Sequence, residues 1–137
     1  FKGHHKHSLY LICNTELPNF GDHEMLLVAN VARYHRKAHP QEHHHYFAIL
    51  DDDERVRVTR LAALLRVADA LDREHRQRVT GVTAKVTDEE VALWLDGTAG
   101  ALLEGFTVQK KANLFQQTFG RTVNLRFLGE HQDAAGP

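Results

Sequence analysis

The chain has 137 residues, with 17 Lys or Arg against 18 Asp or Glu, a formal charge of −1 with histidine neutral. Apolar residues make up 42% and charged residues 26%, near the averages of globular domains, which excludes a disordered tail, a fibrous repeat and a strongly basic nucleic-acid arm. No run approaches the roughly 18–20 apolar residues of a membrane helix, no signal peptide opens the chain, and the single cysteine, Cys13, excludes an internal disulfide and fits a reducing cytoplasm.

In chain order, residues 7–16 carry Leu9, Leu11, Ile12 and Cys13, which predicts a short helix with Ser8 near its start. Pro18 and Gly21 then break the pattern. Asp22 reads as the N-cap of a second helix, with Met25, Leu26, Val28, Ala29, Val31 and Ala32 forming a wide apolar face up to Tyr34 and His35. The polar, proline-containing stretch at 36–46 reads as a loop. Residues 51–76 give the clearest helix. Asp51, Asp52, Asp53 and Glu54 complement the dipole at its start, Val58, Leu61, Leu64, Leu65, Ala68 and Leu71 recur at helical spacing, and Arg73 and Arg76 close it.

The period then changes. Thr80–Val86 alternates, and Val91, Leu93 and Leu95 alternate after a Thr-Asp-Glu-Glu turn, predicting a β-hairpin. Gly97–Gly100 breaks it. Residues 101–119 return to helical spacing through Leu102, Leu103, Phe106, Lys110, Leu114 and Phe115, with Gly120 as the residue after the helix. Thr122–Leu128 alternates again, and the tail at 131–137 reads as disordered. The fold class is α+β: a helical domain over 1–78, then a small β-β-α-β unit over 79–130.

Eleven histidines stand out, nine of them in the first 45 residues. Full protonation would take the charge from −1 to −1 + 11 = +10, making the N-terminal third a polycation below about pH 6.5. The run His4-His5-Lys6-His7 is interrupted and followed at once by apolar residues, so it reads as native sequence. The start at Phe1 suggests a piece of a longer protein. His43-His44-His45 tempts a metal reading, but three consecutive residues do not all face one ion from a regular element, so an incidental exposed loop is expected. Cys13, among apolar neighbours, reads as a buried inert thiol. Asp69 sits beside Leu65 and Ala68, positions expected to be buried, and so needs a partner; Arg73 stands four residues on. Trp94, out of phase with Leu93 and Leu95, would cover the other face of the sheet. Arg33, Arg36 and Lys37, with Arg66, Arg73, Arg76 and Arg78, form the polyanion candidate, and Tyr34 and His35 add neutral donors. The opposing reading is a solvated helix face, because a net charge of −1 gives no global field.

Three groups in order, HHKHSLYLI, VARYHRKAHP and RLAALLRVADALDREHRQ, strongly resemble the C-terminal HD-like domain of the exopolyphosphatase/guanosine pentaphosphate phosphohydrolase (Ppx/GppA) family. The small β-β-α-β unit is similar to the one that ends such proteins. The resemblance implies an incomplete HD-like helical domain, because no His-Asp dyad occurs in these residues and the dyad helix would precede Phe1. Mapped by motif, His7, His35 and Asp69 fall where HD proteins carry metal ligands, as a partial or vestigial set. Imidazole and carboxylate suit Zn²⁺, Mn²⁺ or Fe²⁺. The implied parent would use Mg or Mn, while this chain alone would hold metal weakly or not at all.

By the same resemblance, catalysis would reside in missing N-terminal actin-like domains that cleave phosphoanhydride bonds of polyphosphate or guanosine pentaphosphate. This piece would be an inactive, cytoplasmic helper without membrane or nucleic-acid partners. It would bind polyphosphate or a phosphorylated guanosine nucleotide through Arg33, Tyr34, Arg36, Lys37, Arg66 and Arg73, and hold a homodimer together. Two alternatives stay open: a self-sufficient HD-type metal-dependent phosphohydrolase with its dyad cut away, and a pure dimerisation module.

Overall fold

The computed structural model describes residues 4–73, 75–97 and 102–128, with side chains for all of these except 4–6 and 102–106. In order, the elements are α1 (His4–Cys13), α2 (Asp22–Tyr34), α3 (His45–Ala48), α4 (Asp52–Leu71), β1 (Val79–Val86), β2 (Glu90–Gly97), α5 (Leu102–Lys111), α6 (Asn113–Phe119) and β3 (Thr122–Phe127). The architecture is α+β, as expected. Two compact units divide at Arg66/Val67, inside the continuous helix α4. The tail at 131–137, expected to be disordered, lies outside the described residues.

In the first unit α1 packs on α2. Helix α2 is capped differently from expectation: Gly21 is the N-cap and Asp22 the first helical residue. Glycine has no side chain to cap with, so Glu24 reaches back and accepts the Gly21 N–H at 2.8 Å. The buried stripe of α2 is Met25, Ala29, Asn30, Arg33 and Tyr34, a helical spacing that carries three polar residues inward. Val28, expected on the apolar face, is exposed.

At the start of α4, the Glu54 N–H donates to Asp51 Oδ1 at 2.8 Å and the Asp51 N–H donates to Glu54 Oε2 at 3.0 Å. This reciprocal capping box satisfies two otherwise orphaned donors. The buried face of α4 is Val58, Ala62, Ala63, Arg66, Val67, Ala70 and Leu71, while Leu61, Leu64 and Leu65 are 39–50% exposed and Ala68 is exposed. The expected burial of Leu65 and Ala68 is thus corrected. A helix apolar on most sides does not reveal which stripe packs, and here the smaller residues do. The helix ends at Leu71, five residues before the expected boundary. Asp72 Oδ1 accepts the Gln77 N–H at 2.9 Å, and His75 and Gln77 adopt φ of 53° and 52°, which ends helical bonding.

The second unit carries a three-stranded sheet in the order β1-β2-β3. β1 and β2 form the expected antiparallel hairpin, Val86 opposite Val91 and Thr83 opposite Trp94, with an irregularity between Val79 and Gly81. Gly97 lies so close to the other strand that an added Cβ would sit 2.1 Å from the Arg78 carbonyl oxygen. β3 runs parallel to β2 with Val123 opposite Val91, a pairing that needs the helical crossover through α5 and α6. The single expected helix is two, interrupted at Ala112. Val91, Ala92, Leu95, Val108, Ala112, Leu114, Phe115 and Val123 are the buried apolar residues of β2, α5, α6 and β3 among the described residues, and α5 and α6 pack on β3. Gly120 ends α6 at φ 64°, the left-handed terminator expected from sequence.

Candidate functional site

The end of α2 is where the sequence concentrates its chemistry, and neighbouring segments fix its shape. Asn30 is fully buried and donates through Nδ2 to the carbonyls of Leu26 and Tyr46, at 2.9 and 3.1 Å. Tyr34 is also fully buried, and its hydroxyl lies 2.8 Å from His44 Nδ1. Its ring stacks on the His44 ring, with centroids 5.6 Å apart, and meets Phe47 edge-on. From the other side, Arg55 donates to the Phe47 and Ala48 carbonyls. These contacts convert the expected loop around 43–46 into an ordered segment ending in α3. Four helical residues have no stability of their own, so tertiary hydrogen bonds and the buried Phe47 hold them.

Arg66 projects from α4 to the other end of this assembly. It is buried, donates to the Tyr34 carbonyl at 3.0 Å, and reaches the Lys37 carbonyl at 3.4 and 3.5 Å. It thereby satisfies backbone oxygens that the end of α2 leaves without helical partners. Burial holds its guanidinium pKa below the ordinary value. Burial, and then the Arg66 charge, lower the His39 pKa. Lys37 adopts φ 57°, turning the chain sharply after α2.

Arg33 is 8% exposed, with its guanidinium carbon 5.3 Å from the Tyr34 ring centre and its Nε without a hydrogen-bond partner among the described residues. It borders a cleft of about 440 Å³. Leu9 and Tyr10 of α1 form one wall, and His43, His44, His45 and Tyr46 form the other. The titratable lining is thus a guanidinium, three imidazoles and two phenols.

The sequence-predicted residues separate on this frame. Arg33, Tyr34, Lys37 and Arg66 come together, yet Tyr34 and Arg66 direct their polar atoms into the fold. Arg36 and Lys37 are exposed just beyond α2. Arg73 is exposed after α4, in the second unit. His7 is exposed on α1. His35 is half-buried, with Nδ1 donating to the Ala32 carbonyl, and Asp69 is half-buried in the second unit. Among the described residues, no group of three or more His, Cys, Asp or Glu is placed to hold a metal ion. His7, His35 and Asp69 are thus not gathered into such a group. Cys13 is exposed rather than buried, although partial burial raises its thiol pKa.

Sequence reasoning missed Tyr10 and the whole 43–46 wall. The available signal was the Tyr46-Phe47 pair following the histidines, an apolar anchor able to fix a polar run in place.

The family model for Ppx/GppA phosphatase, domain III, matches residues 1–118. The chain belongs to the Ppx/GppA phosphatase family. The Ppx/GppA match covers every residue of the cleft and extends through the hairpin into α6, taking in the first unit and the second as far as residue 118. The matched domain III is a domain of phosphatases, a class of hydrolases. Among its described residues, no helix is long and apolar enough to cross a membrane.

Proposed function

We propose that this chain is the non-catalytic C-terminal part of a cytoplasmic exopolyphosphatase-type hydrolase. The parent cleaves phosphoanhydride bonds of polyphosphate or guanosine pentaphosphate, and this part binds the phosphate chain and joins two subunits. The observation that carries the reading is the basic end of α2. Arg33, Arg36 and Lys37 fall within five residues, on a turn whose backbone oxygens Arg66 occupies. Guanidinium forks match phosphate oxygens in pairs, and Arg36 and Lys37 are exposed to meet a flexible polyanion. Tyr34 and Arg66 serve this surface as supports. The exposed Leu61, Leu64 and Leu65 on α4 support the dimer role, since a repeated apolar stripe at this spacing suits a second copy.

Titration calorimetry of the chain with long-chain polyphosphate, run beside a phosphate-release assay, tests the reading. Binding without release is expected. Phosphate release by the chain itself would overturn the non-catalytic assignment, and no binding would overturn the rest. For the dimer, sedimentation of the chain and of L61E/L64E should give a dimer and a monomer, and a monomeric parent chain refutes that role.

A further inference from the structure

We propose that the free edge of β1 is a self-pairing surface, along which a second copy of this chain lies antiparallel and extends the sheet from three strands to six. The inference rests on the dimer reading above and deepens it, adding a contact through β1 to the stripe on α4.

The hydrogen-bond register defines what the edge offers. The Thr87 N–H donates to the Glu90 carbonyl at 2.9 Å, and the Leu95 carbonyl accepts from Leu128 on the β3 side at 3.1 Å. Bonded pairs alternate in an antiparallel ladder, so Thr83 and Lys85 bond toward β2, opposite Trp94 and Ala92. Val82, Ala84 and Val86 therefore turn their amides and carbonyls to the outer edge. Among the described residues no strand pairs there, and residues 82–86 are all exposed.

The side chains of the same three residues make the edge apolar. Val82 and Val86 stand opposite Leu95 and Val91 and share their face of the sheet. Leu95 and Val91 are buried, whereas Val82 and Val86 are 50% and 61% exposed. The crossover helices pack on β3, across the sheet from β1. Native edges are ordinarily protected by proline, charge or a covering element, and Lys85 is the only charged residue of β1.

Symmetry and charge select the occupant. With Ala84 opposite its own counterpart about a two-fold axis, Val82 meets Val86 of the other copy, and each outward amide finds a carbonyl. Lys85 then falls opposite Thr83 of the other copy, which keeps like charges out of register. Arg76 and Arg78 precede β1, and Asp88 and Glu89 follow it. Antiparallel copies therefore set the basic end of each strand beside the acidic end of the other. One strand pair is marginal by itself, but the α4 contact holds the two edges at a high effective concentration.

Cysteine cross-linking of the whole chain tests the register, in a C13S background that removes the native thiol. Bonded partners lie about 5.5 Å apart between Cα atoms, within disulfide reach, so A84C should give a disulfide-linked dimer on oxidation. The two copies of residue 86 stand about 13 Å apart along the strands, so V86C should stay largely uncross-linked despite its exposure. In sedimentation, A84P removes an outward amide and spares the β2 ladder. It should raise the dimer dissociation constant about tenfold, the scale of two lost backbone bonds. V82K/V86K sets lysines opposite one another and should do at least as much, which keeps the test valid if A84P fails to fold. Cross-linking of V86C equal to or above that of A84C overturns the proposal. Parent-like dimers in A84P and V82K/V86K, with a monomer in L61E/L64E, refute the edge contact and leave the dimer reading standing. A monomeric unaltered chain refutes both.

Discussion

Replacing Arg66 separates a structural arginine from a ligand arginine. Its bond to the Tyr34 carbonyl is 3.0 Å long, whereas those to Lys37 are 3.4 and 3.5 Å, at the limit where such bonds weaken. A hydrogen bond from a charged donor contributes about 1.5–3 kcal/mol. Against it stands the buried Nε, which has no partner among the described residues and whose desolvation the substitution relieves. Arg66→Met keeps the aliphatic stem, so the expected net loss is about 1–2 kcal/mol. Arg66→Ala also forfeits two buried methylenes, about 1.6 kcal/mol, and leaves a cavity, for a total of about 3–4 kcal/mol. Arg66→Lys retains the charge but not the fork, and its more strongly hydrated ammonium costs at least as much as methionine. Urea unfolding of the three variants gives these losses as midpoint shifts at constant slope, and calorimetry on the folded proteins gives polyphosphate affinity. Stability is expected to fall in the order Met, Lys, Ala, with affinity per folded molecule within about threefold of the parent. Parent-like stability in Arg66→Met, together with collapsed binding, would refute the structural assignment.

The His23–Glu54 pair gives a pH signature. Hydrogen bonding to Glu54 raises the His23 pKa above 6.5, and the same bond lowers the Glu54 pKa below 4.5. The histidine contribution is full below about pH 6.5 and is lost as pH rises through the folded value. That of the glutamate is full above about pH 4.5 and is lost as pH falls through its folded value. The stability gap between parent and H23Q should therefore peak near pH 5–6, and a gap that does not vary with pH sinks the pair. Asp51→Ala removes half the capping box of α4 and should cost about 1 kcal/mol in urea unfolding; no change would mean the box is not formed in solution. Gly97→Ala forces a Cβ against the Arg78 backbone, whereas Gly120→Ala meets open space and strains only φ. The first should cost clearly more than the second, whose left-handed conformation accounts for about 1 kcal/mol.

The elements whose residues carry their own signals were legible in the sequence. The acidic start of α4, the alternation of β1 and β2, and Gly120 at the end of α6 each act locally. What escaped depended on distant partners. Asn30 and Tyr34 hold α3 from another helix, so a polar stretch offered no helical period. The burial stripe of α4 is chosen by what packs there, and residues 58–71 are apolar enough on two sides to mislead. The break at Ala112 leaves the apolar period intact and was invisible for that reason. For the site, Arg33 was picked out as an arginine within a basic run, while its burial, its unmet donor and the histidine wall exist only after folding.

The parallel pairing of β3 with β2 carries a consequence for how the chain is made. A hairpin such as β1–β2 closes within about 1–10 μs once both strands exist. The partner on the far side of β2 arrives only after α5 and α6 have been synthesised, and such non-local pairing is slow. During translation the central strand therefore waits with one edge open and Val91 and Leu95 uncovered. In that interval a nascent chain is most exposed to pairing with a neighbour instead of itself. Slowing synthesis just beyond residue 97 would lengthen the hazard, and early folding of the crossover helices would shorten it.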